Sequence, residues 1–300
     1  MLPAMRIGLT GAGSSVDRMI EAAVQAEADG FTSLWYASAI GGDPLVTMAL
    51  AGRATTSIEL GTAVLQTYTC HPVLQARRAQ SVVLAMGRPG FTLGVGPSHK
   101  PPIEDMLGIS YATPGKHTED YVRVLTGVLR GERVRGEGEY PVNLPAGEPV
   151  DVPVLVSALA PRLLRVAAEL TDGTVLWMGN ARSVETHVRP LLDKTAPGKR
   201  IVAGLPIAVH DDVAEARAAA DQLFAMYGTL PNYRRILDIG GAAGPAEAAI
   251  VGDEESVAAQ VAALFDAGVD DFWAAPFPVG ADRGASRART HALLKDLVSR

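Results

Sequence analysis

Short apolar runs alternate with longer runs of helical period along the whole chain. Arg6–Thr10, Phe31–Tyr36, Ile58–Leu65, Phe91–Val95, Pro153–Ser157, Gly173–Trp177, Arg200–Val209 and Asp270–Ala275 read as strands. They are apolar at odd and even positions alike, the pattern of parallel strands covered on both faces. Val16–Asp29, Pro44–Ala54, His71–Met86, Lys116–Leu129, Arg162–Leu170, Ser183–Asp193, Asp211–Tyr227, Ser256–Ala267 and Ser286–Val298 predict helices. Punctuation supports these boundaries. Gly30 sits where a left-handed residue ends a helix, and Asp43-Pro44 and His71-Pro72 place proline in a first turn.

Eight such βα units in 300 residues predict an α/β fold, the (β/α)8 TIM barrel. The expected organisation is one barrel domain over 1–300, with insertion or lid segments at about 97–115, 130–150 and 226–250. Gly96–Gly115 carries four prolines and no clean period, too long for a plain connection. Glu132–Leu144 alternates weakly and predicts a hairpin, and Gly240–Ala246 reads as an interruption.

Composition narrows the function. Lys and Arg number 27 against 33 Asp and Glu, a net charge of −6. That balance argues against broad nucleic-acid or anionic-membrane binding, which needs a basic face. Cys70 is the single cysteine, so neither an internal disulfide nor a cysteine-rich zinc site can form. No apolar run approaches the ~20 residues of a membrane span. Met1 to Arg6 leads straight into a strand without a leader pattern, so a cytoplasmic, soluble protein is expected.

Barrel chemistry sits where strands end. Those positions here are Thr10–Gly13, Tyr36–Ser38, Ala63–Gln66, Gly96–Lys100, Ser157–Ala160, Trp177–Asn180, Val209–His210 and Ala275–Phe277. They offer no carboxylate pair, no metal cluster and no nucleophile elbow. A mouth this apolar and backbone-rich suits a planar cofactor that carries the chemistry itself. Gly11-Ala12-Gly13 resembles the start of a dinucleotide fingerprint. Its third glycine position holds Val16, and the second strand ends without a carboxylate, so it reads as a βα turn.

Among titratable groups, His99 leaves the fourth strand behind Gly96-Pro97-Ser98 and is the foremost acid–base candidate. His71 opens a helix and reads as structural; His117 and His187 lie in helical contexts and are expected at the surface; His210 ends the seventh strand. The turns Ser157-Ala158-Leu159-Ala160-Pro161-Arg162 and Trp177-Met178-Gly179-Asn180 each open a helix, where free N–H groups favour an anion, and Arg162 and Arg182 add charge. Tyr227, Tyr233 and Phe277 are candidates to stack on a planar acceptor or to pack at the rim.

The residues Met5-Arg6-Ile7-Gly8-Leu9, Ala26-Glu27-Ala28-Asp29-Gly30-Phe31, Ser33-Leu34-Trp35, Ile58-Glu59-Leu60-Gly61-Thr62-Ala63-Val64, His71-Pro72, Thr92-Leu93-Gly94-Val95-Gly96-Pro97-Ser98-His99, Pro153-Val154-Leu155-Val156-Ser157 and Ala168-Glu169-Leu170-Thr171-Asp172-Gly173 together resemble the bacterial luciferase-like monooxygenase family, in the branch that uses the deazaflavin coenzyme F420. The resemblance implies a TIM barrel with insertions, often dimeric. It implies a bulge after the third strand, often with a non-prolyl cis peptide, at Ala63–Val64. It places the ring or its ribityl chain at Ser38, Ala63, Val64, Gly96, Pro97, Ser98 and His99. The tail phosphate falls at Ser157, Ala158, Leu159, Ala160, Pro161, Arg162, Trp177, Met178, Gly179 and Asn180. The chain departs from many relatives in lacking an acidic residue at Ser38-Ala39 and at His99-Lys100. His99 then stands as the proton donor.

The implied activity is hydride transfer between coenzyme F420 and a small organic substrate bearing a C=C, C=N or C=O group. The alternatives are an FMN-dependent monooxygenase using molecular oxygen and a non-catalytic flavin- or deazaflavin-binding protein. The expected partners are a small-molecule substrate and a second copy of the chain, in a homodimer.

Overall fold

A computed structural model of the chain describes residues 5–11, 13, 15–37 and 43–299. The eight expected strands are present as Ile7–Thr10, Ser33–Tyr36, Glu59–Thr62, Phe91–Gly96, Val154–Val156, Gly173–Trp177, Arg200–Val209 and Asp271–Pro276. Each is followed by at least one helix, and every pairing between them for which residue partners are given is parallel. The fold class is the (β/α)8 TIM barrel.

The chain packs as two compact units, Met1–Thr10 with Gln25–Trp35 and Val175–Arg300, and Gly11–Val24 with Tyr36–Thr174. They are called the split unit and the central unit below. In the split unit the first strand lies between the second and the eighth, with Gly8 opposite both Ser33 and Trp273. The eighth pairs in turn with the seventh, Trp273 opposite Gly204. The seventh strand is buried from Ile201 to Val209, as its unbroken apolar run requires. Asp271, 1% exposed, accepts hydrogen bonds from both Arg6 and Arg200, so its charge is paired where it is buried.

In the central unit the third, fourth, fifth and sixth strands pair in order, with Leu60 opposite Phe91, Leu93 opposite Val154 and Leu155 opposite Gly173. The helix Pro44–Ala54 starts where Asp43 accepts a hydrogen bond from Leu45 N at 3.0 Å. The helix Pro72–Met86 starts where His71 Nδ1 accepts from Val73 N at 3.3 Å, so His71 has the structural role read from its place beside Pro72. The expected hairpin is antiparallel, Val134–Arg135 against Asn143–Leu144.

Two segments differ from expectation. Gly96–Gly115 is not wholly irregular, because Pro101–Met106 forms a wide helical turn with Ile103 buried in it. Within 226–250, Pro231–Ile239 and Pro245–Ala248 are helices and Ile250–Gly252 is a short strand. Pro245 lies in the segment expected as an interruption, yet it and Pro231 each stand at the start of a helix, where proline's missing N–H is tolerated.

Candidate active site

In the central unit the third strand stops at Thr62, and the chain resumes pairing with the fourth strand at Leu65–Gln66. Between them the Ala63–Val64 peptide is cis. Ala63 N donates to Tyr36 O at 2.7 Å, and Thr62 Oγ1 donates to Gly94 O at 2.7 Å and accepts from Gly94 N at 2.8 Å. The bulge is therefore fixed by the backbone and one buried hydroxyl. Beside it Gly96 ends the fourth strand. A Cβ at this position would lie 2.9 Å from Ser157 Cβ and 3.0 Å from Val64 Cγ2. Glycine keeps these three strand ends level and close.

The fourth strand then turns through Pro97 into Ser98, whose φ of 63° is the left-handed region that non-glycine residues seldom enter. Two contacts hold it there. Tyr111 Oη donates to Ser98 O at 2.7 Å, and Gln66 Nε2 donates to Ser98 Oγ at 3.3 Å. His99 follows, half-buried, and desolvation pulls its pKa below the ordinary histidine value. Lys100 pairs with Glu104 one turn on.

Behind this turn lies a cluster the sequence reading did not assemble. His117, expected at the surface, is 2% exposed. Its ring stacks on Tyr68 at 3.6 Å between centroids. Nδ1 meets Glu139 Oε1 at 2.7 Å and Nε2 meets Thr67 Oγ1 at 3.0 Å. Thr67 N donates to Gly96 O, and Tyr68 packs against Tyr111. The helix Pro114–Leu129, the hairpin and the fourth-strand exit are thus tied together through one histidine. The signal was the spacing of Tyr68, Tyr111, His117, Tyr121 and Tyr140 through otherwise aromatic-poor sequence.

The turn after the fifth strand, Ser157 to Ala160, leads to Pro161–Leu170, a helix whose N-cap Ala160 supplies no side-chain bond. Arg162 there is an exposed residue that donates to Glu119 Oε2 at 3.0 Å, and Arg165 also lies near that carboxylate. Its charge is therefore already shared with an acid.

The split unit presents a different surface. Trp177 at the sixth-strand end stacks on Trp273, with ring centroids 5.0 Å apart. Phe224 and Tyr227 meet Trp177 edge-on, and Phe224 meets Phe277. Tyr233 packs on Tyr227. Gly204 makes this possible, because a Cβ there would fall 2.0 Å from Trp273 Cε2. Trp273 Nε1 is buried without a hydrogen-bond partner. Met178 has φ 65° and donates its N–H to Gly204 O at 3.2 Å. Asn180 caps the following turn, accepting from Ser183 N and donating to Gly240 O. His210 pairs with Glu215 at 2.8 Å.

Among the expected site residues, Ala63, Val64, Gly96, Pro97, Ser98, His99 and Ser157–Arg162 fall in the central unit, and Trp177–Asn180 in the split unit. Gly96 brings Val64 and Ser157 together. Ser38 lies outside the described residues, as does Ala12 of the early glycine turn. Among the described residues no group of three or more His, Cys, Asp or Glu is arranged to hold a metal, and no helix is long and apolar enough to cross a membrane.

The sequence profile of the luciferase-like monooxygenases matches residues 1–271. The chain belongs to that family. Among its relatives, a 5,10-methylenetetrahydromethanopterin reductase of Methanolobus tindarius is 27% identical over 213 residues, which take in 67% of this chain and 64% of that protein's length. A putative coenzyme F420-dependent oxidoreductase of Mycobacterium tuberculosis is 27% identical over 235 residues, 69% of this chain and 67% of the relative. Solved structures share the fold of this family member nearly end to end. An F420-dependent secondary alcohol dehydrogenase with an F420-acetone adduct superposes with a TM-score of 0.75 over 96% of this chain and 98% of its own, at 17% identity. The oxygenating constituent of a 3,6-diketocamphane monooxygenase from Pseudomonas putida, with FMN, superposes with a TM-score of 0.71 over 99% and 97%, at 17% identity.

Proposed function

We propose that this chain is an F420-dependent oxidoreductase, transferring a hydride between the deazaflavin and a small organic substrate with a C=C, C=N or C=O group. The observation that carries the reading is the level, uncharged wall that Val64, Gly96 and Ser157 form at adjoining strand ends. A flat neutral heteroaromatic ring fits such a wall. Relatives named for F420 chemistry support the same choice.

When bound, the coenzyme supplies the hydride. The chain's residues supply the rest. Ala63, Val64, Gly96, Pro97 and Ser98 hold the ring face, and Ser157–Arg162 take the phosphate-bearing tail through backbone N–H groups at the start of the helix Pro161–Leu170. His99 donates the proton that balances the hydride, from a position that burial keeps poor in water. Segments 97–115 and 130–150 cover the pocket and set substrate choice. The exposed apolar side chains Val46, Leu50, Leu74 and Leu84 on the second and third helices support a homodimer.

Side-by-side titration of the purified protein with oxidised F420 and with FMN tests the cofactor. Tight F420 binding with weak FMN binding is expected. The reverse order moves the protein to oxygen-dependent flavin chemistry. Failure of both to bind below about 100 μM, roughly −5.5 kcal/mol, ends the cofactor reading. Turnover of any acceptor by the reduced coenzyme removes the purely binding role.

A further inference from the structure

Asp43, Leu65, Gln66, Thr69, Gln75 and Arg78 line a cavity of about 320 Å³ in the central unit. Its size is at the lower end for ligand pockets, room for a substituent rather than for a whole cofactor. Its wall adjoins the candidate site: Leu65 and Gln66 follow directly on the Ala63–Val64 bulge, and Gln66 Nε2 bonds Ser98 Oγ, next to His99.

The polar groups of this wall are specific. Arg78 donates to Asp43 Oδ2, to Gln75 Oε1 at 3.1 Å and to Cys70 Sγ at 3.7 Å. Asp43 accepts from Leu45 N through its other oxygen. Among the described lining residues, the one full positive charge is therefore cancelled by the one full negative charge. Gln75 is 1% exposed, and its amide nitrogen Nε2 has no hydrogen-bond partner. An unsatisfied buried donor is costly, and an amide, unlike a titratable group, cannot escape that cost by changing charge.

These facts select among occupants. A carboxylate or phosphate meets Asp43 beside an arginine that Asp43 already holds. An alkyl group leaves Gln75 Nε2 unsatisfied. A neutral carbonyl oxygen accepts from Gln75, and the N–H of a carboxamide finds free lone pairs on Asp43. We infer that this cavity is a subsite for a neutral carbonyl group, of the carboxamide or lactam class. That the group belongs to the reducible substrate rests on the oxidoreductase reading; the subsite itself does not.

The test uses the full chain without cofactor and two probes of one shape, benzamide and benzoate, followed by ligand-observed NMR and by the side-chain amide signals of labelled glutamine. Benzamide is expected to bind at millimolar concentration and to shift one buried glutamine NH2 pair. Benzoate is expected to bind at least about tenfold more weakly. Gln75→Glu keeps the oxygen that Arg78 uses and removes the donor, so benzamide affinity should fall about tenfold. Asp43→Asn keeps the helix cap but frees Arg78, so benzoate should gain on benzamide. Equal affinity for the two probes, indifference to Gln75→Glu, or no binding of either up to about 20 mM, with water alone meeting the amide, would overturn the subsite. F420 titration of the same variants separates the two readings. F420 affinity should be unchanged by Gln75→Glu, and a loss would assign the cavity to the coenzyme instead. If F420 binds no form of the protein while the amide preference holds, the oxidoreductase reading falls and the subsite stands.

Discussion

The two units handle polarity in opposite ways. Around the strand ends of the central unit, polar groups are numerous and bound to one another: Thr62 holds Gly94, Gln66 and Tyr111 both hold Ser98, and His117 links Thr67 to Glu139. The same part of the split unit is aromatic, with Trp177, Trp273, Phe224 and Tyr227 in mutual contact, while its buried charge, Asp271, is spent on Arg6 and Arg200. On the proposed reading the central unit holds the proton donor and the ring face, while the aromatic packing of the split unit serves its own stability. If that division holds, changes in the central unit should alter chemistry and binding, and changes in the split unit should alter stability.

The largest expected effect is at His99. His99→Gln should lower kcat by about 10²-fold, the usual worth of a positioned acid. A donor must carry its proton, and burial lowers the pKa of His99. Wild-type kcat should therefore rise as the pH falls, reaching its plateau at lower pH than an exposed histidine would give. In the glutamine variant this inflection should be gone. Single-turnover oxidation of the reduced coenzyme between about pH 5 and 8 reads both. A flat wild-type profile would transfer the proton to water.

Next come two glycines, one in each unit. Gly204→Ala drives a methyl against Trp273 in a packed strand and should cost about 3 kcal/mol, seen as a lower midpoint in urea unfolding. Gly96→Ala meets Ser157 Cβ at 2.9 Å, an atom that moves only with its backbone, and Val64 Cγ2 at 3.0 Å. It should cost about 1–2 kcal/mol, less than Gly204→Ala, and weaken F420 binding about tenfold, by roughening the wall. Equal stability losses at both positions, with F420 binding untouched, would dissolve the contrast between the units.

The same contrast explains what the sequence made legible. Strands such as Arg200–Val209 announce themselves because their burial on both faces is written in every position. Helix starts at Asp43-Pro44 and His71-Pro72 are local chemistry and could be read locally. Pro245, inside the Gly240–Ala246 segment expected as an interruption, misled because proline ends one element and begins the next with the same residue. His117 was missed for another reason. Its partners Thr67, Tyr68 and Glu139 lie up to 50 residues away, and a polar residue in a helix reads as exposed until the fold surrounds it. The left-handed Ser98 and Met178 were equally hidden, because neither residue type advertises that conformation.

His117 also gives the smallest and sharpest test. His117→Phe keeps the flat ring that stacks on Tyr68 and the burial of the side chain, and deletes its polar contacts to Glu139, Thr67 and Tyr140 Oη. Glu139 is nearly half exposed and regains water, whereas Thr67 Oγ1 is left buried, so the net cost should be about 1 kcal/mol, the low end for an unpaired buried hydroxyl. The effect on the hairpin should exceed that on the whole. Glu139 lies between Val134–Arg135 and Asn143–Leu144 and is held to the helix through His117. Amide exchange at 134–144 should therefore quicken while the seventh and eighth strands keep their protection. Faster exchange spread evenly over both units would make His117 only a filler of the core, and the polar chain behind Ser98 would lose its claim to hold the hairpin in place.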